Sequence, residues 1–482
     1  MKLLEIKWKN HPILGDLYLD FRHKEDSTPY ENIVFIGENG SGKTTVMQSI
    51  VDFMAGLTSK FFEYIKYEAQ GKIYTAAPLE LERDGFYTVE DEENNKIEMR
   101  INKIIHNDKL DKHPANIRKY GFAYSKARSD FKTTKITSTT TKKLDDDEKR
   151  NSDDSDDYTE LKQLLIDVQE RDYEELDSWT NKQKNITRST IDNFKKHNYK
   201  TNRFKTAFDN FFLNIKYIGY NTFDKEKKVI LEKNNKEINI DDLSTGEKQI
   251  VFRGAYLLQN INNLCESIIF VDEPEISMHP LWQKKILKYY QEMFKENEVQ
   301  KVQMFFSTHS TQIVKNAFDS NMLLIILSNN NGKISAQRMD DVNDMSLNTI
   351  TSAEINYRAF SFPSEDFHIA LYSYIQTLSQ TDKSVIGCDN YINLYINQYE
   401  PQNKYILQRT STNGRTTYNT LPTLIRNHID HPNNIYQYSE TDLKESIELM
   451  IRIIDHNKSQ NQVNINKVTA ASSQNQVTNK TK

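Results

Sequence analysis

One stretch limits what this chain can fold into more than any other: Gly37-Glu38-Asn39-Gly40-Ser41-Gly42-Lys43-Thr44-Thr45. It follows the apolar run Ile33-Val34-Phe35-Ile36 and precedes residues 46–51, whose apolar side chains recur at helical spacing. Strand, glycine loop and helix in that order form a P-loop. The glycines let successive backbone N–H groups turn inward around a phosphate chain with no side chain in the way. The helix that starts there adds the positive end of its dipole. Gly37, Asn39, Gly40, Ser41, Gly42, Lys43, Thr44 and Thr45 are therefore the candidate nucleotide contacts. Lys43 is placed to reach the β- and γ-phosphates of ATP, and the Thr44 hydroxyl to hold Mg²⁺.

A chain of 482 residues can build more than one domain with a sizeable core. A net charge of −5 gives no global basic field, while 63 Lys and Arg leave room for a local basic face, so nucleic acid stays an open partner. Residues 1–8 carry charges where a signal peptide needs its apolar core. The longest apolar run, residues 322–327, is strand length and far from a membrane span. The expectation is a cytoplasmic protein with no membrane partner. Cys265 and Cys388 lie far apart without CxxC spacing and read as reduced, buried thiols.

Residues 3–8 and 17–21 alternate as strands, and further strand-like runs occupy 86–89, 96–101 and 121–124. Composition then shifts. Residues 133–141 are rich in Thr and Lys, and residues 145–157 are acidic, which reads as a solvated, flexible linker in preference to a metal- or partner-binding tail. Residues 158–212 show helical period, with Leu161, Leu164, Leu165 and Val168 on one face, but no sustained heptads. This predicts an α/β domain from residues 1–130 and 210–345, interrupted by an acidic linker and helical insertion at 131–209. A mainly helical domain follows at 346–456, and 457–482, rich in Asn, Gln, Ser and Lys, reads as a disordered tail.

Ser267-Ile268-Ile269-Phe270-Val271-Asp272-Glu273-Pro274 is an apolar strand ending in two carboxylates, a Walker B pattern. Asp272 would hold Mg²⁺ opposite Thr44, and Glu273 would orient and help deprotonate the attacking water. His309 follows the strand-like residues 304–306, where an imidazole could sense the γ-phosphate. With Lys43, Glu273 and His309 are the candidate catalytic residues. Leu243-Ser244-Thr245-Gly246-Glu247 opens a helix, so Ser244 and Gly246 form a second phosphate-reading surface.

P-loop, LSTGE turn, Walker B and His309, in this order, resemble the ABC-type ATPases, specifically the RecF, SMC-head and OLD-like branch. Residues 272–280 are close to the DEPExxLHP form of that branch. The resemblance implies an ABC-type P-loop head that hydrolyses ATP as a homodimer. Two heads would sandwich two ATP molecules, with Ser244 and Gly246 of one protomer reading the γ-phosphate bound to the other. Two departures stand out: Thr245 replaces the second glycine of the commonest signature, and no Gln sits at a strand end as a Q-loop, Gln70 being poorly placed. Stand-alone ATPases of this branch, the PtuA-like and retron-associated ones, are similar in size and layout. That likeness implies a sensor or regulator of a nuclease partner in anti-phage defence.

In the C-terminal third, Ser364-Glu365-Asp366-Phe367-His368 reads as a helix N-cap with an acidic first turn and a packed His368. Arg426-Asn427-His428-Ile429-Asp430-His431 resembles the RNxxxH motif of HEPN ribonucleases. That resemblance implies Arg426, Asn427 and His431 as a ribonuclease site, with Arg426 stabilising the phosphate and His431 acting as general base or acid. Arg100 and His106 fall at a comparable spacing, so spacing alone does not select the motif; Asn427 and the helical surroundings do. An ATPase-regulated ribonuclease toxin is thus one alternative. A DNA-repair ATPase of the RecF or SMC kind is another, although no long coiled coil separates the P-loop from Leu243.

Overall fold

The computed structural model describes residues 1–478 apart from 59, 80–85, 101–112, 129–130, 142, 146–149, 154–156, 184, 263, 265, 297–298, 341–344, 348, 350, 380–381, 401–405, 411–416 and 432–436. The chain divides into two compact units, Met1–Arg338 and Met339–Lys482.

The first unit opens with β1 (Lys2–Trp8), β2 (Tyr18–Asp20) and β3 (Asn32–Ile36), and α1 (Lys43–Ala55) leaves the P-loop. Next come β4 (Phe62–Ala69), β5 (Lys72–Pro78), β6 (Phe86–Asp91), β7 (Lys96–Arg100), β8 (Phe122–Ser125) and β9 (Arg150–Ser152). Helices α2 (Thr159–Thr180), α3 (Arg188–Asn198) and α4 (Asn202–Phe211) precede the meander β10 (Ile215–Phe223), β11 (Glu226–Lys233) and β12 (Lys236–Asn239). After α5 (Thr245–Leu258), β13 (Ile268–Asp272) and α6 (Pro280–Met293) come the short pair β14 (Lys295–Glu296) and β15 (Val299–Gln300). The unit closes with β16 (Gln303–Thr308), α7 (Thr311–Asp319), β17 (Leu323–Asn330) and β18 (Lys333–Arg338).

Two sheets organise these elements. The larger has the order β18-β17-β3-β16-β13-β8-β9, parallel except for β18. Its central strands are unbroken apolar runs, as expected of parallel strands covered on both faces. β18 joins through a tight turn in which Asn331 and Gly332 take φ of 54° and 87°, the left-handed pair that a hairpin of this twist requires. The second sheet is antiparallel, β2-β1-β4-β5-β6-β7. Trp8, Phe21, Phe35, Phe53, Phe270 and Phe305 belong to one buried cluster that draws on both sheets and on α1. Phe21 meets Phe305 edge-on at 5.2 Å, and Phe270 stacks on Phe305 at 5.3 Å. Trp8 Nε1 donates to Ser49 Oγ at 3.1 Å, tying β1 to the P-loop helix.

The acidic stretch departs from the solvated linker its composition predicts. β9 pairs with β8 at the sheet edge, and Asp153 is buried. Its carboxylate accepts from the Lys126 amide at 2.7 Å and the Tyr158 hydroxyl at 3.1 Å and faces Arg128 at 3.4 Å. Asp145 pairs with Arg203 at 2.9 Å. A run of like charges reads as solvated only while its partners, distant in sequence, are out of view. Residues 158–212 do form helices, and α2 is anchored by the pairing of buried Lys162 with Asp241 at 2.6 Å, just before the LSTGE turn.

The second unit contains α8 (Ser352–Phe360), α9 (Glu365–Leu378), α10 (Val385–Tyr399), the strand pair β19 (Ile406–Thr410) and β20 (Thr417–Thr420), α11 (Leu421–Asp430) and α12 (Glu440–Thr478). Phe367, Leu371, Ile392, Ile425, Ile447 and Ile453 share its core. Ser364 caps α9, accepting from the Phe367 amide at 3.2 Å. His368 is buried with Nε2 at 2.9 Å from Ser446 Oγ, and burial pulls its pKa down to about 3, so it is a neutral packed residue. The backbone of α12 stays helical to Thr478, across the tail for which composition predicts disorder. Residues 457–482 contain no Gly or Pro to stop a helix already nucleated by the buried Leu443, Ile447 and Ile454. Among the described residues no helix is long and apolar enough to cross a membrane.

Candidate active site

α1 begins at Lys43 because Gly42, with φ 96°, supplies a left-handed cap that a side chain would strain. Gly37, with φ 148°, is constrained by space as well: a Cβ there would lie 2.2 Å from the Leu327 carbonyl oxygen of β17. Lys43 Nζ donates to the carbonyls of Gly37 and Glu38 at 2.9 and 3.0 Å, curling the loop around its own lysine. Burial lowers the Lys43 pKa to about 8, against the opposing charges of Glu273 and Asp272. Ser41 Oγ is shielded from solvent and finds no hydrogen-bond partner among the described residues. Asn39, Gly40 and Thr44 are exposed and Thr45 half-buried.

Parallel register brings the chemistry to one level. Thr308 pairs with Ile36, Asp272 with Ser307 and Val271 with Ser125, so β3, β16, β13 and β8 end side by side. Asp272 accepts from Thr44 Oγ1 at 2.9 Å, from the Tyr124 hydroxyl at 3.3 Å and from Ser307 Oγ. Glu273 sits in the left-handed region, φ 44°, uncommon for a residue with a side chain, and its amide donates to Ser307 O at 3.2 Å. His309 Nε2 lies 3.0 Å from Glu273 Oε1. That hydrogen bond leads the factors that hold the Glu273 carboxyl below its usual range, with burial opposing it and the charges of His309, Lys43 and Arg253 adding to it. Glu273 is thus an ionised acceptor, able to take a proton from a water molecule.

Residues beyond the sequence motifs complete the cluster. Arg253, fully buried on α5, donates to Ser125 Oγ at 2.8 Å and to three backbone carbonyls: Ser125 at 2.9 Å, Asp272 at 2.7 Å and Glu273 at 3.2 Å. Glu275 accepts from Thr308 Oγ1 and from the His309 amide, both at 2.7 Å. Tyr124 and Ser125, and no glutamine, occupy the strand end beside Asp272. Gln70 instead lies in the turn between β4 and β5, with φ 51°. The available signal for Tyr124 was the strand-like run 121–124, but its pairing with the Walker B strand is not written in local sequence.

Ser244 caps α5 through a reciprocal capping box with Glu247, whose carboxylate also meets Lys233 at 2.7 Å. Ser244 and Thr245 remain exposed. Gly246 is buried against the loop after β13, where a Cβ would come within 2.5 Å of the Ser277 carbonyl oxygen. In the second unit, Arg426 pairs with Asp430 at 2.7 Å and donates to Asn427 Oδ1 at 3.0 Å, while His431 is the exposed C-cap of α11. Cys388 is buried; Cys265 and His106 lie outside the described residues.

The residues present fit ATP and Mg²⁺. The loop offers a lysine, an unpaired serine hydroxyl and left-handed glycines to phosphate oxygens. Thr44 and Asp272 are hard oxygen donors already in contact, and Tyr124 and Ser307 orient the carboxylate behind them. Among the described residues no group of three His, Cys, Asp or Glu is placed to hold a metal ion.

The sequence profile of the AAA_21 family, described as "AAA domain, putative AbiEii toxin, Type IV TA system", matches residues 33–315, more than half of the chain. A protein described as "Retron Ec83 probable ATPase" from Escherichia coli is 27% identical over 106 residues; that match spans 20% of this chain and only 19% of that protein. Among solved structures, the SMC head domain from Thermotoga maritima aligns with 71% of this chain and all of its own, at 14% identity and a TM-score of 0.34. An SMC head bound to the C-winged helix domain of ScpA aligns with 72% of this chain at 10% identity and a TM-score of 0.39.

Proposed function

The chain belongs to the AAA_21 family, and from that premise we propose that it hydrolyses ATP with Mg²⁺ at a site completed by a second copy of itself, and uses that cycle to control a nuclease partner in anti-phage defence. The observation that carries the ATPase reading is the meeting of Thr44, Asp272, Glu273 and His309 at the ends of adjacent parallel strands. Mg²⁺, which Thr44 and Asp272 would hold, would supply charge compensation to the phosphates. Lys43 and the loop amides hold the phosphates, Glu273 accepts a proton from the attacking water, and His309 fixes the Glu273 carboxylate while facing the γ-phosphate.

Support for the dimer comes from the LSTGE turn. Its polar end, Ser244 and Thr245, is exposed at a helix N-terminus, where the Ser244 side chain caps its own helix through Glu247. An exposed N-terminal cap of that sequence suits the phosphate of a neighbouring molecule. The defence role draws on the descriptions of the family and of the retron protein. Glu273→Gln is expected to bind ATP, fail to hydrolyse it and run as a dimer on a sizing column, whereas Lys43→Ala binds no nucleotide. Retention of ATP binding by Lys43→Ala sinks the site assignment; a monomeric Glu273→Gln at saturating ATP sinks the dimer. The ribonuclease alternative through Arg426 and His431 has a guanidinium already committed to Asp430. Equal RNA cleavage by the parent and by Arg426→Ala and His431→Ala removes it.

A further inference from the structure

We propose that Glu275 is a positioning residue for hydrolysis, pinning the loop after β16 so that the His309 imidazole stays on Glu273. The proposal rests on the ATPase reading above and adds to it a residue that does not itself meet the nucleotide.

The geometry is specific. A single carboxylate oxygen, Oε1, receives both the Thr308 hydroxyl and the His309 amide at 2.7 Å. The same loop is held from its far side, because Ser310 Oγ donates to Gln283 Oε1 at 2.6 Å and caps α7, and the Ser310 amide donates to Thr308 Oγ1 at 2.9 Å. Between these anchors His309 has little freedom to leave Glu273, which it meets at 3.0 Å. Glu275 thus joins the loop after β13, which carries Glu273, to the loop after β16, which carries its partner.

The choice of a carboxylate is costly for stability, which is why a role in the reaction is the better account. Among the described residues Glu275 Oε2, shielded from solvent, finds no hydrogen-bond partner, although the residue as a whole is only partly buried. Burial raises the Glu275 pKa, and the nearby charge of Glu273 raises it further. A shielded carboxylate oxygen left unsatisfied, beside a second acid, is the kind of local violation that concentrates at working sites. What the carboxylate gives in return is charge-assisted hydrogen bonds to the loop, roughly twice as strong as neutral ones.

The test is a double-mutant cycle in the full chain. Glu275→Ala should lower kcat about ten- to a hundredfold, with KM for ATP within about twofold, because orientation is lost while phosphate binding is intact. Added to His309→Ala, it should cost nothing further, since both remove one device. Glu275→Gln, which keeps an acceptor at Oε1, should recover activity to within a few fold. Hydrogen exchange reads the pin without turnover: protection of the His309 amide is lost in Glu275→Ala and kept in Glu275→Gln. Should Glu275→Ala not fold, Thr308→Val takes its place, with a smaller drop in kcat that is also absent on the His309→Ala background. Multiplicative losses, an unchanged kcat, or an unaltered His309 amide overturn the proposal. A parent that hydrolyses no ATP but shows the exchange pattern overturns the ATPase reading and leaves the pin standing.

Discussion

Replacing Arg253 tests how the interior of the head is held. Its guanidinium is fully buried and makes four hydrogen bonds, between 2.7 and 3.2 Å, to Ser125 Oγ and to the carbonyls of Ser125, Asp272 and Glu273. At about 1.5–3 kcal/mol for each bond to a charged group, simple addition gives an excessive total, because truncation also recovers the cost of burying the charge. What remains is the loss of a charged donor at three carbonyls and a hydroxyl, of which the Glu273 carbonyl keeps the Ile276 amide and Ser125 Oγ keeps Asp153, with Asp153 losing one of its nearby positive charges. We expect a loss of about 3–5 kcal/mol for Arg253→Ala, the range seen when one side of a buried charged network is removed. With an unfolding entropy of about 2 cal/mol/K per residue, a unit of 338 residues then melts roughly 4–7 °C lower. Denaturant titration followed by tryptophan fluorescence, to which the buried Trp8 contributes, gives the difference directly, with Arg253→Met as the second arm. Methionine restores packing volume but no donors, so it should recover less than half of the loss. If Arg253→Met unfolds within about 0.5 kcal/mol of the parent, the hydrogen bonds contribute nothing net and the reasoning fails.

Other predictions use single groups. Because burial lowers the Lys43 pKa to about 8, its charge is half gone there, and ATP affinity should weaken about tenfold between pH 7 and pH 9 in isothermal titration; a flat profile contradicts the shift. Glu275 has a folded-state pKa raised above its unfolded value, so its contribution to stability is present at low pH and lost as pH rises through the folded value. Glu275→Gln should therefore be more stable than the parent at pH 7, with the gap closing below about pH 4, and a constant gap by denaturant midpoint speaks against a raised pKa. Gly246→Ala places a methyl 2.5 Å from the Ser277 carbonyl and should cost about 1–3 kcal/mol; an unchanged melting temperature shows that the loop gives way freely.

Contiguous motifs are what local sequence conveys well. Lys43, Thr44, Asp272 and His309 are each flagged by a few neighbours, and parallel pairing of their strands brings them together. Tyr124, Ser125 and Arg253 carry no such flag: Tyr124 and Arg253 act on Asp272 or Glu273, and Ser125 on Arg253, across distances in sequence that only the strand order closes. Asp153 shows the opposite error, since a run of aspartates reads as solvated until Arg128, Tyr158 and the Lys126 amide surround it. The α12 extension has a simpler cause. Composition reports how little a segment can bury, but not that a neighbouring packed helix has already met the cost of nucleation.

Helix α5 holds the Ser244 cap at one end and, nine residues on, the Arg253 side chain that grips the Asp272 and Glu273 carbonyls. At 1.5 Å per residue the two stations stand about 13 Å apart on one rigid rod. A second copy that took Ser244 and Thr245 against its own nucleotide would therefore hold the same rod that fixes the Asp272 and Glu273 backbone.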